Sequence, residues 1–148
     1  MSSYQNILVA VESNKGAKDV LVKAAMFAKI QTNPKVHVVH VVLDLIIADW
    51  AGMPGEVPPP IDQEEIIKSS AEFLKPMIEQ VGLDPNNLII CTGSPAHAIL
   101  KQADNLKCDL IIAGSHSRRG LEILLGSTAH KILNLAKCDV LLIRVPKE

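Results

Sequence analysis

Residues 6–42 read NILVAVESNKGAKDVLVKAAMFAKIQTNPKVHVVHVV, and they predict a strand, a helix and a second strand. Two runs rich in Val and Ile, at residues 6–11 and 36–42, are short and bounded by polar residues, as buried strands are. Residues 17–30 between them place apolar side chains on one helical face. A strand, a crossover helix and a strand in this order indicate a parallel pair with right-handed connection.

The same alternation continues to the end of the chain. Further strands are predicted at residues 88–91, 109–113 and 140–145. Further helices are predicted at residues 62–81, 95–106 and 127–137. We expect Gly82 to end the first of these helices and Pro76 to kink or split it. Five strands and four helices in strict alternation predict an α/β fold with a parallel sheet and helices on both faces.

Length and composition restrict the class of protein. A chain of 148 residues predicts a single domain spanning residues 1–148. Hydrophobic residues make up 48% and charged residues 21%, which excludes a disordered chain. The net charge of -1 provides no basic field, and aromatic residues at 3% provide no stacking platform for bases. We therefore expect no nucleic-acid partner.

The cysteines and the hydropathy of the chain favour a cytoplasmic protein. Cys91, Cys108 and Cys138 are odd in number and far apart, so we expect buried free thiols and neither a disulfide framework nor a thiolate metal site. The first residues show no signal-peptide pattern. The chain contains no run of about 18 apolar residues, so we expect no transmembrane helix.

One segment interrupts the alternation, at residues 44–61. It contains the only tryptophan, Trp50, and four of the nine prolines. Compact domains carry irregular loops of this length mainly as lids or binding segments. Two interpretations stay open: a flap over a site or a partner surface, and an apolar loop packed on its own domain.

The strongest candidate for a ligand-binding site is the stretch at residues 113–128, which reads AGSHSRRGLEILLGST. Glycines permit tight turns and close approach of a ligand to the backbone. Gly126, Ser127 and Thr128 open a predicted helix, whose first amides are able to bind an anion. A loop of this kind predicts a phosphate cradle, although any junction between a strand and a helix needs glycines.

Several segments resemble the universal stress protein family of the adenine-nucleotide alpha-hydrolase-like superfamily. Residues 7–13 are similar to its opening strand, in which an acidic residue follows a valine, and residues 38–42 contain its frequent His-Val pair. Gly93-Ser94-Pro95 is similar to the glycine-x-proline start of its third helix. Residues 109–116, 124–127 and 137–143 complete a resemblance that covers essentially the whole chain.

The nucleotide-binding branch of this family carries the pattern G-x2-G-x9-G-[ST]. Gly114 matches its first position, and Gly126 and Ser127 match its last two. Ser117 stands where the second glycine is expected, and eight residues separate it from Gly126. The loop is therefore one residue shorter and one glycine poorer than the pattern.

The resemblance implies an adenine-nucleotide site. Adenine is expected against Ala10, Val11 and Val41, and the ribose hydroxyls are expected on Glu12. The full set of nucleotide-binding residues that it implies is Ala10, Val11, Glu12, Val41, Ala113, Gly114, Ser117, Arg118, Gly126, Ser127 and Thr128. The expected ligand is ATP or AMP, with Mg²⁺ as a further candidate.

No catalytic residue or metal site is expected from the sequence. The chain has no G-x-S-x-G, no G-x-x-x-x-G-K-[ST] and no H-E-x-x-H. His37 and His40 are three residues apart in a predicted strand and so face opposite sides of the sheet. We expect His40 to be a core or semi-buried histidine with a backbone partner.

The resemblance also implies a three-layer α/β/α sandwich with strand order 3-2-1-4-5 and a homodimer paired through Val140 to Val145. The expected function is that of a stress-response protein that binds ATP or a related adenine nucleotide and acts by partner signalling, with hydrolysis absent or slow. The alternative is a dimeric interaction module of the same family that binds no nucleotide. The missing motifs argue against a third hypothesis, an enzyme that consumes ATP.

Overall fold

The computed structural model describes residues 3–42, 62–116 and 126–146. The strands in these residues are β1 (Asn6–Ala10), β2 (Lys35–Val42), β3 (Leu88–Thr92), β4 (Leu110–His116) and β5 (Asp139–Val145). The helices are α1 (Gly16–Lys29), α2 (Gln63–Gln80), α3 (Pro95–Asn105) and α4 (Ser127–Leu135). A single 3-10 turn at Pro85–Asn87, which the sequence did not predict, leads into β3.

The strands form one parallel sheet with the order β3-β2-β1-β4-β5. This confirms the predicted α/β fold and its strand order. The central strand β1 pairs with β2 on one side and β4 on the other, so that Ala10 faces both Val39 and Ala113. This register brings the carboxyl ends of β1, β2 and β4 side by side.

Alternate residues of the central strands supply two separate cores. On one face, α1 and α2 cover the side chains of Ile7 and Val9. On the other, α3 and α4 cover Leu8 and Ile111. All four of these strand side chains are fully buried. Each such burial is worth roughly 1.5–3 kcal/mol, which explains why strands this rich in aliphatic residues require helices on both faces.

Helix α2 continues through Pro76, so the proline does not split it; the alternative, a kink, stays a prediction. Pro76 lacks an N–H and cannot donate to the preceding turn. It lies on the exposed side of the helix, however, while Leu74 and Ile78 on the opposite side are fully buried. Their burial offsets the lost hydrogen bond. The helix ends at Gln80, and Gly82, the predicted stop, follows just beyond it with a φ of 88° that is accessible to glycine.

Strand β4 runs three residues beyond its predicted end at Ala113. It is longer because Gly114, Ser115 and His116 pair with the last residues of β5. Gly114 is therefore a strand residue and not part of a loop. The segment around Trp50, together with Ser117 and Arg118, lies outside the described residues, so the expectations for them stay predictions.

The three cysteines are free thiols and half-buried, rather than fully buried as expected. Burial raises the pKa of the Cys108 thiol from 9.0 to about 11, with smaller contributions from Cys138 and Asp109. Of the helices in the described part of the chain, none combines the length and apolar character that spanning a bilayer requires.

Candidate functional site

The predicted site residues of the strands meet at the carboxyl edge of the sheet. Ala10 ends β1 and pairs with Ala113 of β4, while Val41 lies near the end of β2. Helix α1 connects β1 to β2 on one side of it, whereas β4, the neighbour on its other side, is reached from β3 through α3. The strand order therefore switches between β1 and β4. Open α/β sheets bind ligands in the crevice outside the strands at this switch point.

A histidine fixes the end of β1 against β2. The backbone N–H of Val11 donates to the carbonyl of Val39 at 3.0 Å, and Nδ1 of His40 donates to the carbonyl of Val11 at 2.9 Å. His40 thus has the backbone partner that we predicted. Because the carbonyl of Val11 has two lone pairs and His40 takes one, only the second can accept from a base. Val11 itself is buried.

The turn from β1 to α1 exposes a carboxylate. Glu12 is exposed at the carboxyl edge, and its Oε2 accepts from Nδ2 of Asn14 at 2.9 Å. The Oδ1 of the same asparagine accepts from the backbone N–H of Gly16, the first residue of α1, at 2.9 Å. A carboxylate in this position is able to accept hydrogen bonds from hydroxyl groups, which is the chemistry that a ribose requires.

Close packing of Val20 and Val145 leaves no space for a side chain at Gly114. A Cβ at this position would lie 2.9 Å from Cγ2 of Val20 and 2.9 Å from Cγ2 of Val145. Both valines are buried, and neither is able to move aside easily. The glycine therefore lets α1 and β5 pack closely on β4. A contact of its backbone with phosphate stays a prediction.

Gly126 is in the opposite situation, at the start of α4. Its φ is −59°, which any residue adopts, and among the described atoms a Cβ there would meet nothing within 4 Å. Its carbonyl accepts from the N–H of His130 at 3.0 Å and so begins the helix. Ser127 is exposed and Thr128 half-buried. Because the first amides of a helix have no partner within it, this end is able to receive an anion.

Two of the predicted site residues lie outside the described part of the chain, and the structure adds one residue that the sequence did not predict. Ser117 and Arg118 lie outside the described residues. Asn14 was missed as a neighbour of Glu12. An asparagine just before a helix is a capping signal, but capping alone does not reveal the bond to the carboxylate. Within residues 3–42, 62–116 and 126–146, no group of three His, Cys, Asp or Glu side chains is placed to hold a metal ion.

The sequence model of the universal stress protein family matches residues 3–144. The chain belongs to the universal stress protein family. Universal stress protein A homolog 2 of Coxiella burnetii is 32% identical to it over 146 residues, which cover 98% of each chain. This relationship over nearly the full length of both proteins confirms the family that the sequence resembled.

Two solved universal stress proteins share the fold. One, in complex with cAMP, gives a TM-score of 0.67 at 19% identity and covers 97% of this chain and 98% of its own. The other, from Archaeoglobus fulgidus in complex with dAMP, gives a TM-score of 0.59 at 23% identity and covers 96% of this chain and 99% of its own. At these identities the likeness shows a shared fold.

Proposed function

We propose that this universal stress protein binds ATP or a related adenine nucleotide at the carboxyl edge of its sheet and signals through protein partners. The main support for the proposal is the start of α4 at Gly126, at the end of the sheet where the strand order switches. Gly126 is exposed, and none of the described atoms lies within 4 Å of the position that its Cβ would take. The two solved relatives with bound cAMP and dAMP support an adenine nucleotide as the ligand.

The proposed site divides the nucleotide among three parts of this edge. The base packs against Ala10, Val11 and Val41, and Glu12 accepts from the ribose hydroxyls. The phosphates lie at the start of α4, where the backbone amides and the hydroxyls of Ser127 and Thr128 donate to them. Ser117 and Arg118 contribute from the connecting segment. Gly114 supplies backbone alone, since its Cβ space is taken by Val20 and Val145.

The glycine at position 126 supports the phosphate end of this arrangement. Neither its φ nor the packing of the described atoms requires a glycine there. Close approach of a ligand to the backbone provides a reason for the missing side chain. Mg²⁺ enters the proposal as the usual companion of the ATP phosphates, and no described residue is assigned to it.

We also propose that the protein works as a homodimer through Val140 to Val145. In the described part of the chain, β5 pairs with β4 alone and stands at the edge of the sheet. Val140, Leu141 and Leu142 on this strand are half-buried. An apolar edge strand favours pairing with a second copy. Sedimentation velocity at micromolar concentration is expected to give a dimer, and a monomer would contradict this part of the proposal.

The proposed function has no catalytic step. Bound nucleotide is the signal, hydrolysis is absent or slow, and the protein acts in the cytoplasm. Phosphate release from ATP, followed over hours with micromolar protein, tests this directly. Turnover in the ordinary enzyme range, about 1 per second or faster, would contradict it and favour an enzyme that consumes ATP.

Calorimetric titration of the wild-type protein with ATP and AMP, each with and without Mg²⁺, tests nucleotide binding. We expect saturable binding with one site per chain. No binding of either nucleotide would overturn the proposal. A protein that is dimeric but binds no nucleotide would match the second candidate function, a dimeric interaction module, which the edge position of β5 favours.

A further inference from the structure

The geometry of the β1–α1 turn points to Asn14 as a positioning residue, and we propose that it holds the carboxylate of Glu12 in place for the ribose. Through this contact Asn14 sets the preference of the site for ribonucleotides over 2′-deoxyribonucleotides. The inference rests on the proposed function, because it assigns a role within that same nucleotide site.

Two hydrogen bonds fix the side chain of Asn14. Its Nδ2 donates to Oε2 of Glu12 at 2.9 Å, and its Oδ1 accepts from the N–H of Gly16 at 2.9 Å. The amide group therefore uses both of its ends at once. Rotation about its terminal bond would exchange donor and acceptor and break both contacts.

The backbone of Asn14 is in turn attached to a rigid helix. Its carbonyl accepts from the N–H of Ala17 at 3.1 Å, and the turn that this bond closes begins α1. Ala17 and Leu21 are buried in the core between α1 and the sheet. The position of the carboxylate of Glu12 is thus linked through Asn14 to a packed helix and not only to its own flexible side chain.

This link matters because glutamate has one more rotatable bond than aspartate. An exposed glutamate that must adopt a single geometry on binding loses rotamer freedom, and that loss weakens binding. The bond from Asn14 restricts the rotamers before the ligand arrives. A carboxylate has about four acceptor positions, so the bond from Asn14 does not by itself prevent acceptance from the neighbouring hydroxyls of a ribose.

The Asn14→Asp variant separates the two contacts. An aspartate has the same shape, and its carboxylate is still able to accept from the N–H of Gly16 two residues on, because Asp and Asn both form such Asx turns. It has no N–H to donate to Glu12 and repels that carboxylate. The new charge acts equally on ATP and 2′-deoxy-ATP, which carry the same phosphates, so the ratio of their affinities reports on the ribose end alone.

Calorimetry with ATP and 2′-deoxy-ATP supplies that ratio for four proteins: wild type, Asn14→Asp, Glu12→Ala and the double variant. We expect wild type to prefer ATP by about tenfold, the effect of one hydrogen bond to a charged group. Asn14→Asp is expected to lower the preference to about twofold, with Tm close to that of wild type. In the Glu12→Ala background, where Asn14 has no carboxylate to hold, the same substitution should leave the preference unchanged.

The possible failures are distinct. Wild type that binds neither nucleotide overturns the proposed function and this role together. Wild type that binds ATP and 2′-deoxy-ATP equally, or an Asn14→Asp variant that keeps the wild-type preference, overturns the positioning role and leaves the proposed function standing. A further drop in preference in the Glu12→Ala background would mean that Asn14 contacts the ligand directly, which overturns the positioning role. If Asn14→Asp does not fold, Asn14→Gly, which has no side chain to donate to Glu12 and costs a helix start little stability, is measured against the same criteria.

Discussion

The two edges of the sheet use polar residues differently. At the amino edge, the carboxylate of Asp109 accepts from the backbone N–H groups of Gln5 and Asn6 at 2.8 and 2.9 Å, and so joins the start of β1 to the start of β4. At the carboxyl edge, Glu12 lies in the turn before α1, Ser127 is the first residue of α4, and both are exposed. The amino edge therefore stabilises the fold, whereas the carboxyl edge presents groups that are able to bind a ligand.

The largest effect on stability is expected at the amino edge. Asp109→Ala removes two hydrogen bonds to a charged acceptor and should lower the free energy of unfolding by about 3 kcal/mol, as urea denaturation measures. Asp109→Asn, which keeps an acceptor oxygen, should lose less. The affinity of folded protein for ATP should not change, since Asp109 lies at the opposite end of the strands from the proposed site. Unchanged stability, or weaker ATP binding, would break the division between the edges.

A matched pair of serine substitutions compares the two glycines of the family pattern. Gly114→Ser places a Cβ within 2.9 Å of Val20 and Val145 and is expected to cost about 2 kcal/mol. Gly126→Ser adds a side chain where nothing described lies within 4 Å and supplies a good helix cap, so no loss is expected. Differential scanning calorimetry of both proteins decides the matter. Equal Tm values would show that the two positions are not different in packing.

His40 lies near the carboxyl edge, but its side chain forms a hydrogen bond within the protein, to the carbonyl of Val11. Removing its side chain in His40→Ala leaves the carbonyl of Val11 without this donor and should cost about 1–2 kcal/mol in urea unfolding. His40→Gln, whose amide can donate, is the control and should recover part of the loss. Full stability of His40→Ala would mean that this bond contributes nothing to the edge.

The smallest effect is a pH dependence at the amino edge. Burial raises the pKa of Cys108 from 9.0 to about 11, so the folded protein keeps a proton that the unfolded chain releases. This contribution is complete below pH 9 and is lost as the pH rises toward 11. Stability should therefore fall less steeply over that range in Cys108→Ser than in wild type. Identical slopes in urea titrations at pH 9, 10 and 11 would contradict the assignment.

The predictable part of the fold is the part that local patterns determine. Five aliphatic runs and four helical faces indicate the elements, and the family resemblance implies the strand order that the structure has. Two features depend on tertiary contacts instead. The extension of β4 to His116 requires pairing with β5, and the continuity of α2 through Pro76 requires the burial of Leu74 and Ile78.

The candidate site was predictable as a set of positions but not as a set of contacts. The resemblance placed Ala10, Ala113 and Val41 at one edge, where the register brings them together. The different circumstances of Gly114 and Gly126 are invisible in sequence, because both match the same pattern. Only the distances to Val20 and Val145 tell one from the other.

Binding of the phosphates at the start of α4 is tested most sharply by calorimetric titration of ATP into two variants, Gly126→Asp and Gly126→Asn. Both are good helix caps of nearly equal size, so both should fold with Tm values no lower than that of wild type. They differ in a negative charge at the proposed phosphate position. We expect the affinity of Gly126→Asp for ATP to be at least about tenfold lower than that of Gly126→Asn, which corresponds to about 1.4 kcal/mol. Equal affinities would contradict the placement of the phosphates at the start of α4.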